Sequence, residues 1–463
     1  MNGVCYDARI HGLEKRRNAQ GAVTSHRLSW RVSGKLWKKG FRTAAQADAF
    51  RSELMTAARR GEAFSISTGL PVSWENQEPT PTWYTFTLAY AEMKWPYASP
   101  NHRRSIAEAL TDATEALLTA ESSFSRDTVR EALRWSYSTR IRDNAEPPVH
   151  LAQALDWLEN NTVQMAAFTE RSTAAGHARA MLARISQTKD GTPAAPNTAN
   201  RKRMVIGNSM EYAIELDLLP ANPLKAVKWT KPRTLTTIDP RVVINGEQAR
   251  RFFAAVEAHS ERGKRMKPFF GSMYHAGLRP EEAVDLRIHN LLQLPEEPGV
   301  WGDMRLTNSE PRSGSRWTDS GKPRERRALK HRADGDTRHV PIHPDLVLMF
   351  REHIANYGTG PGGRIFIGPR GGILTDRAYL KVFHESRAVA FKPEEAASPL
   401  LEVPYALRHA AVSTWLRTAG DPARVAEWAG HSVAVLLRVY AKCIHGMEGE
   451  VLARIWHATR QDP

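Results

Sequence analysis

The sequence predicts a multidomain chain: a small α+β unit, then an all-α unit, then a mixed, mainly α unit with a small β-sheet. Three observations predict this. The 463 residues exceed one ordinary domain of roughly 100–200 residues. Proline-rich stretches break the chain, first at Pro71, Pro79 and Pro81 and again from Lys231-Pro232 to Asp239-Pro240. The apolar periodicity also changes across these breaks, from alternating to helical to a mixture of both. The expected boundaries are 1–70, 82–230 and 240–463.

In the first block Leu28, Trp30 and Val32 alternate with Arg27, Ser29 and Arg31, giving a strand with one apolar and one basic face. Ser33-Gly34 turns the chain into a second strand, Lys35–Arg42, which carries Trp37, Lys38 and Lys39. Thr43 then starts a helix, with Gln46 completing a capping-box pattern. Phe50, Leu54 and Ala57 make its apolar stripe, and Gly61 ends it. A small sheet backed by one helix, with cations on its open face, suits a DNA groove. The same pattern also describes a hairpin whose charged face is merely solvated.

The second block reads as helices only: Thr87–Trp95, Arg103–Thr119, Asp127–Thr139, Val149–Leu158, Thr169–Ser186 and Asn197–Leu218. In the last, Met204, Ile206, Met210, Ala213, Ile214 and Leu218 recur near helical spacing, and Pro220 and Pro223 stop it. No residue pattern there carries chemistry, so the block reads as a packing or binding module.

Bulk composition narrows the function. The formal net charge is +15, from 65 Lys+Arg against 50 Asp+Glu. Residues 1–60 hold 13 Lys+Arg and 4 Asp+Glu, a local +9, and residues 312–338 hold 9 against 4, a local +5. Two concentrated basic stretches favour a polyanionic partner, because cations bind phosphates by releasing counterions. The two cysteines, Cys5 and Cys443, sit far apart and form no CxxC pair, which excludes a disulfide framework or zinc-thiolate site. No apolar run reaches membrane length, and Met1 to Lys15 lacks a signal-peptide core. The expected location is cytoplasmic, with no membrane partner.

Four signals in the third block carry chemistry. In Tyr274-His-Ala-Gly277-Leu-Arg279-Pro280-Glu-Glu282, Gly277 closes one helix and Pro280 opens the next. Arg279 then stands at a helix N-terminus, a favourable place to grip phosphate, and Glu282 shares its face. In Arg326–Ile342, Asp334-Gly335 signals a hairpin turn, with Lys330 on the first strand near its tip. His331, His339 and His343 lie here without an acidic or thiolate partner at ligand spacing, so no metal is expected. In Pro404–Trp415, Leu407, Ala411 and Trp415 face the core, while Tyr405, Arg408 and His409 share the other side. Finally, Asp421-Pro422 starts a helix and Gly430 ends it. His431 follows, and Ser432 caps a last helix bearing Val433, Leu436, Leu437 and Tyr440 on one apolar face. Taken singly, each signal also fits a surface ion pair, a solvated cationic hairpin, a solvated helix face or a packed tyrosine.

The ordered set Arg279, Lys330, Arg408, His431 and Tyr440, with the last two nine residues apart, resembles the active-site boxes of the tyrosine recombinases, the phage integrase family. The resemblance covers about residues 240–450 and is sharpest from Arg408 to Tyr440. The whole chain also resembles integrases of actinobacterial phages and mobile elements. It implies an arm-type DNA-binding domain over 1–70, a helical, SAM-like core-binding domain over 82–230 and a catalytic domain over 240–463. Two departures stand out. Tyr405 occupies the position, three before the second arginine, where the family usually has His or Lys. The turn after Lys330 is also longer than usual, which makes Lys322 a rival for the catalytic lysine.

The resemblance implies an enzyme that breaks and rejoins DNA through a 3′-phosphotyrosine, integrating or excising a mobile element. The residue types suit phosphoryl transfer without a metal or other cofactor. A phenol keeps its proton at neutral pH and must lose it as it attacks. Arg279 and Arg408 grip the non-bridging oxygens and stabilise the extra charge at phosphorus, and His431 adds a donor. Lys330 is the candidate general acid for the departing 5′-oxygen, with Glu282 and Tyr405 in supporting positions. Arg27, Arg31, Lys38 and Lys39 are the candidate DNA contacts of the N-terminal sheet. Double-stranded attachment sites, a homotetramer on DNA, a directionality factor and a host DNA-bending protein are the implied partners, and the nucleoid the implied place. Leu452 and Trp456, with Val451 and Ile455, form an apolar segment suited to a neighbouring protomer. The alternatives are a Xer-like resolvase or type IB topoisomerase-like enzyme and, in a different class, an inactive DNA-binding regulator.

Overall fold

The protein is described from a computed structural model covering residues 3–17, 23–75, 80–234, 236–330, 332–333 and 335–444, together with Leu452, Ala453, Trp456 and Thr459. Met1, Pro79, His331, Asp334, Val451 and Ile455, named above, lie outside the described residues.

At the N-terminus β1 (Ala8–Ile10), β2 (Glu14–Arg17), β3 (Val23–Val32) and β4 (Lys35–Phe41) form an antiparallel sheet backed by α1 (Ala44–Arg59). Strand β3 is long enough to serve both edges. It pairs with β4 along one, and with β2 and then β1 along the other. Its alternation puts Leu28, Trp30 and Val32 under α1, where Leu54 and Ala57 meet them. Thr43 accepts from the Gln46 amide at 3.3 Å and fixes the start of that helix. Trp74 packs on the same cluster, so the apolar core reaches past residue 70 into the stretch read from sequence as linker.

Six longer helices follow among the described residues: α2 (Trp83–Lys94), α3 (Pro100–Glu115), α4 (Arg126–Ser136), α5 (Val149–Asn160), α6 (Arg171–Ile185) and α7 (Pro196–Glu215). Their stripes meet in one core around Trp83, Leu110, Leu133, Met181, Ile206 and Met210. Met204 is not part of it; it is 73% exposed, because two residues before Ile206 is the far side of a helix. Two carboxylates of α3 stand beside that core, Asp112 buried and Glu115 partly buried. Glu115 meets Arg130 at 2.7 Å and Arg184 at 2.8 Å, and Asp112 meets Arg130 at 2.8 Å and also pairs with Lys202.

The third region opens with α8 (Gly246–His259), α9 (Glu261–His275) and the short α10 (Pro280–Asp285). Strands β5 (Leu291–Gln293), β6 (Gly302–Leu306), β7 (Asn308–Ser309), β8 (Arg327–Ala328) and β9 (Arg338–Ile342) come next. Helices α11 (Pro344–Tyr357), α12 (Asp376–Ala390), α13 (Tyr405–Thr418), α14 (Pro422–Ala429) and α15 (Val433–Ile444) complete it. The sheet order is β9–β6–β5, all antiparallel, and Phe252, Phe269, Phe270 and Phe383 fill the core beside it.

The hairpin expected around Lys330 is not formed. Strand β8 pairs with β7, whereas β9 pairs with β6 over five residues. Burial selects this register: Arg338, Val340 and Ile342 point inward opposite Leu306, Met304 and Gly302. Between β7 and β8 the chain leaves this region as a strap, residues 310–326, and reaches the helical one. Trp317 is 6% exposed and belongs to the helical core. Arg103 of α3 donates to both Asp319 carboxylate oxygens at 2.9 Å and to the Trp317 carbonyl at 3.0 Å. Arg316 meets Glu131 at 2.6 Å. The second basic stretch is therefore largely neutralised within the fold. Arg324 pairs with Asp376, Arg326 with Asp285, Arg332 with Asp336 and Arg338 with Glu282. Among the described residues no helix is long and apolar enough to cross a membrane.

Candidate active site

Gly277 ends α9 with φ +57°, and a Cβ there would stand 2.9 Å from the Trp415 ring. The tight exit makes Arg279 the N-cap of α10, with Pro280 in the first turn. Glu282 answers it: the Arg279 amide and Nη1 donate to its two carboxylate oxygens, each at 2.8 Å. From β9, Arg338 donates to the same two oxygens at 2.9 and 2.7 Å. Burial alone would raise the Glu282 carboxyl. The guanidiniums of Arg338, Arg279 and Arg408 overcome it and hold the group well below the usual carboxylate range.

Arg408 of α13 is fully buried and donates to the carbonyls of Gly277 and Ala429. Its Nη2 also stands 3.0 Å from His431 Nε2. Burial first, then Arg279, lowers its pKa from the ordinary arginine value. The end of α14 draws the group together. Gly430 adopts φ +62°, its carbonyl accepts from Arg279 Nη2 at 3.2 Å, and a Cβ there would stand 2.5 Å from Arg338 Nη1.

Three guanidiniums against one carboxylate sum to +2 in a buried cluster, an arrangement that favours an anion. His431 adds a donor rather than a charge. Burial, then Arg408, Arg279 and Arg338, push its pKa down to about 3, so the ring is neutral. Since Nε2 accepts from Arg408, the ring proton sits on Nδ1. Among the described residues, that Nδ1 and the Nε groups of Arg338 and Arg408 are buried donors without a hydrogen-bond partner.

Tyr440 comes from α15, whose first turn Ser432 caps by accepting from the Val435 amide at 3.2 Å. Leu436 and Tyr440, one turn apart, are both buried. Val433 and Leu437, expected on the same face, are about 40% exposed, because only the Leu436–Tyr440 edge meets α13 and α14. The Tyr440 hydroxyl is 3.0 Å from His409 Nδ1, and its ring is 6.2 Å from that of His431. Tyr405 packs edge-on against His409 at 4.9 Å, with the Arg408 guanidinium 5.9 Å from its ring.

The fold thus gathers Arg279, Arg408, His431 and Tyr440, with Glu282 and Tyr405 beside them. Lys330 stands apart, exposed just after β8. It lines a cleft of about 810 Å³ between the helical and third regions, together with Pro280 and Glu281, the two residues that follow Arg279. Lys322 sits out on the strap, where its carbonyl accepts from Thr318 at 2.7 Å. Two site residues escaped the sequence reading. Arg338 is an arginine on the inward face of an alternating strand, and that inward position was the available signal. His409 was placed beside Arg408, but its link to Tyr440 depends on how two helices pack.

In the N-terminal sheet the strand pairing puts Arg27, Arg31 and Lys38 on the open face, where Arg31 stands opposite Arg9. Arg27 is partly screened by Glu14 at 3.4 Å. Lys39 lies on the other face. It pairs with Leu28, and its Nζ is 4.3 Å from the Phe50 ring centroid, so it covers the core. His343 does have partners: its ligand atoms, those of Asp345 and those of His275 lie within 4.8 Å of one another. The His275 and His343 rings stack at 4.8 Å, and His343 Nδ1 accepts from the Asp345 amide, so this group caps α11.

These features define a class, a mainly helical multidomain protein with a buried arginine cluster beside a tyrosine, and the chain resembles the tyrosine recombinases. A stretch of 122 residues, 26% of this chain, is 29% identical to tyrosine recombinase XerC of Nitrobacter winogradskyi. XerC of Bradyrhizobium diazoefficiens is 28% identical over 122 residues. The chain spans about a third of the length of these relatives, 35% of each. No protein-family model matches the chain. Among solved structures, the Tn1549 transposon integrase in complex with a circular intermediate DNA aligns over 70% of this chain and 98% of its own, with TM-score 0.47 and 18% identity. The XerH recombinase bound to a palindromic difH substrate aligns over 82% and 98%, with TM-score 0.44 and 14% identity. A lambda integrase dimer bound to a core site aligns over 92% and 95%, with TM-score 0.43 and 10% identity.

Proposed function

We propose that the chain is a site-specific DNA recombinase of the integrase kind, which breaks and rejoins DNA through a 3′-phosphotyrosine on Tyr440. The observation that carries this reading is the Arg279–Glu282–Arg338–Arg408 cluster, net cationic and buried, with Tyr440 beside it. Glu282 holds two guanidiniums in place before substrate arrives, so little reorganisation is needed when charge develops at phosphorus. Arg408 and Arg279 bind the non-bridging oxygens, and His431 donates from Nδ1. Tyr440 attacks, and Lys330, reaching from the cleft, protonates the departing 5′-oxygen. Guanidiniums here do the charge stabilisation that a metal ion does elsewhere.

On this reading the helical region and the third region grip the crossover site from two sides, and the N-terminal sheet binds a separate arm site. Four protomers exchange strands in pairs, with directionality and DNA-bending factors as partners. The test is a nicked duplex that traps the intermediate, selected from a randomised pool by covalent capture on the parent protein. The parent forms a denaturant-resistant adduct in EDTA, and Tyr440→Phe binds the same duplex but forms none. An adduct on the Phe variant overturns the reading. Binding by the parent with no adduct on any duplex favours an inactive DNA-binding regulator.

A further inference from the structure

We propose that His409 is the proton acceptor for Tyr440, the general base of the cleavage step. The inference rests on the reading of Tyr440 as nucleophile and goes beyond it, because nothing in that reading says where the phenol proton goes. His409 Nδ1 lies 3.0 Å from the Tyr440 hydroxyl, within reach for direct transfer. Two neighbouring candidates are removed by the same geometry. His431 Nε2 is already occupied by an Arg408 N–H, which leaves that ring a donor on its other nitrogen. Tyr405, at the position where a histidine or lysine was expected, packs its ring against His409.

The imidazole starts unprotonated. Burial, then the Arg408 charge, push its pKa down to about 4, so it stands neutral and able to accept at neutral pH. Among the described residues, the titratable groups facing it are Tyr405 and Arg408 from its own helix and Tyr440 from α15. The Tyr405 ring packs edge-on against it, 4.9 Å between centroids.

The step balances. The Tyr440 oxygen forms a bond to phosphorus as its proton passes to His409 Nδ1, giving an imidazolium whose Nε2 already carries a proton. The bond from phosphorus to the 5′-oxygen breaks, its electron pair stays on that oxygen, and Lys330 supplies the proton there. In rejoining, the 5′-oxygen bonds to phosphorus as its proton returns to Lys330, the bond from phosphorus to the Tyr440 oxygen breaks, and the imidazolium returns its proton to the leaving phenolate.

The experiment measures single-turnover adduct formation on the captured nicked duplex with His409→Ala and His409→Asn. Asn keeps a neutral acceptor near the Nδ1 position but cannot take a proton. Both variants should bind the duplex within a few-fold of the parent, yet form adduct slower by about 100-fold or more. Added imidazole should restore part of the rate to His409→Ala and none to Tyr440→Phe. Either variant cleaving at the parent rate overturns the proposal, as does a slow His409→Ala that imidazole leaves unchanged. An adduct on Tyr440→Phe instead removes the reading of Tyr440, so the two failures are told apart.

Discussion

Lys330 and the buried histidines make opposite demands on their surroundings. An acid for a leaving oxygen must reach it, and Lys330 stands exposed in the cleft beside Pro280 and Glu281 rather than inside the arginine cluster. Lys330→Ala should slow cleavage strongly on ordinary DNA but much less on a 5′-bridging phosphorothiolate, whose sulfur leaves without a proton. Equal losses on both substrates would remove Lys330 from the general-acid role and make Lys322 the next lysine to test. His409 and His431 are instead held neutral, with folded pKa values of about 4 and about 3 against an ordinary 6.5. The unfolded chain then binds more protons below pH 6.5. The stability that these groups contribute is complete above that pH and is lost as pH falls toward 4 and 3. Melting followed by circular dichroism should drop in midpoint between pH 7 and pH 5, and His409→Gln should flatten the drop; a midpoint constant over that range would contradict it. Arg279, Glu282 and Arg408 were legible because local spacing places each on a helix start or face and the resemblance to the recombinase boxes then singled them out. Arg338 and the role of His409 were not, because each depends on a partner dozens of residues away.

The short elements are where sequence and fold part company. Caps and stops at Thr43, Asp421, Gly430 and Ser432 are local, since each needs one side chain or one backbone angle, and the helices begin and end there. The Lys330 hairpin is a tertiary choice. The turn signal at Asp334-Gly335 was real chemistry for a hairpin, but β6 offers β9 a longer and more apolar edge than β8 does. The end of α14 tests how finely the cluster is built. Gly430 combines a left-handed backbone with a position where Cβ would collide with Arg338. Gly430→Ala should cost about 1–2 kcal/mol from the backbone alone. It should also push Arg338 off Glu282 and slow adduct formation at least tenfold, out of proportion to the loss of stability. Parallel measurement of the melt and the adduct rate checks this; parental cleavage by the variant would mean that Arg338 is not needed in place.

Across the whole molecule, charge composition misled in one place and informed in the other. Of the two basic stretches, the strap and its flanks spend most of their arginines on carboxylates of the fold itself, and Trp317 and Asp319 tie the third region to the helical one. The N-terminal stretch is different. Its apolar core closes within the sheet, α1 and Trp74, and its open face still carries Arg9, Arg31 and Lys38, all exposed. On the proposed reading, a cationic sheet on its own core, followed by a proline-bearing stretch, is suited to a second duplex while the remainder holds the crossover site. Two linked sites raise the effective concentration at each without altering the chemistry at Tyr440. Removing residues 1–75 should therefore abolish recombination between arm-bearing substrates and flatten the salt dependence of binding, since fewer phosphates are neutralised. Adduct formation on the nicked crossover duplex should stay within about tenfold, the scale of a lost tether rather than lost chemistry. Arg31→Glu with Lys38→Glu in the full chain should reproduce the arm-site defect without truncation, and Lys39→Glu should not, because Lys39 covers Phe50 on the opposite face. If the sheet is instead a prop for the helices, the truncated chain melts far lower and forms no adduct, while the charge reversals leave arm-site binding as it was.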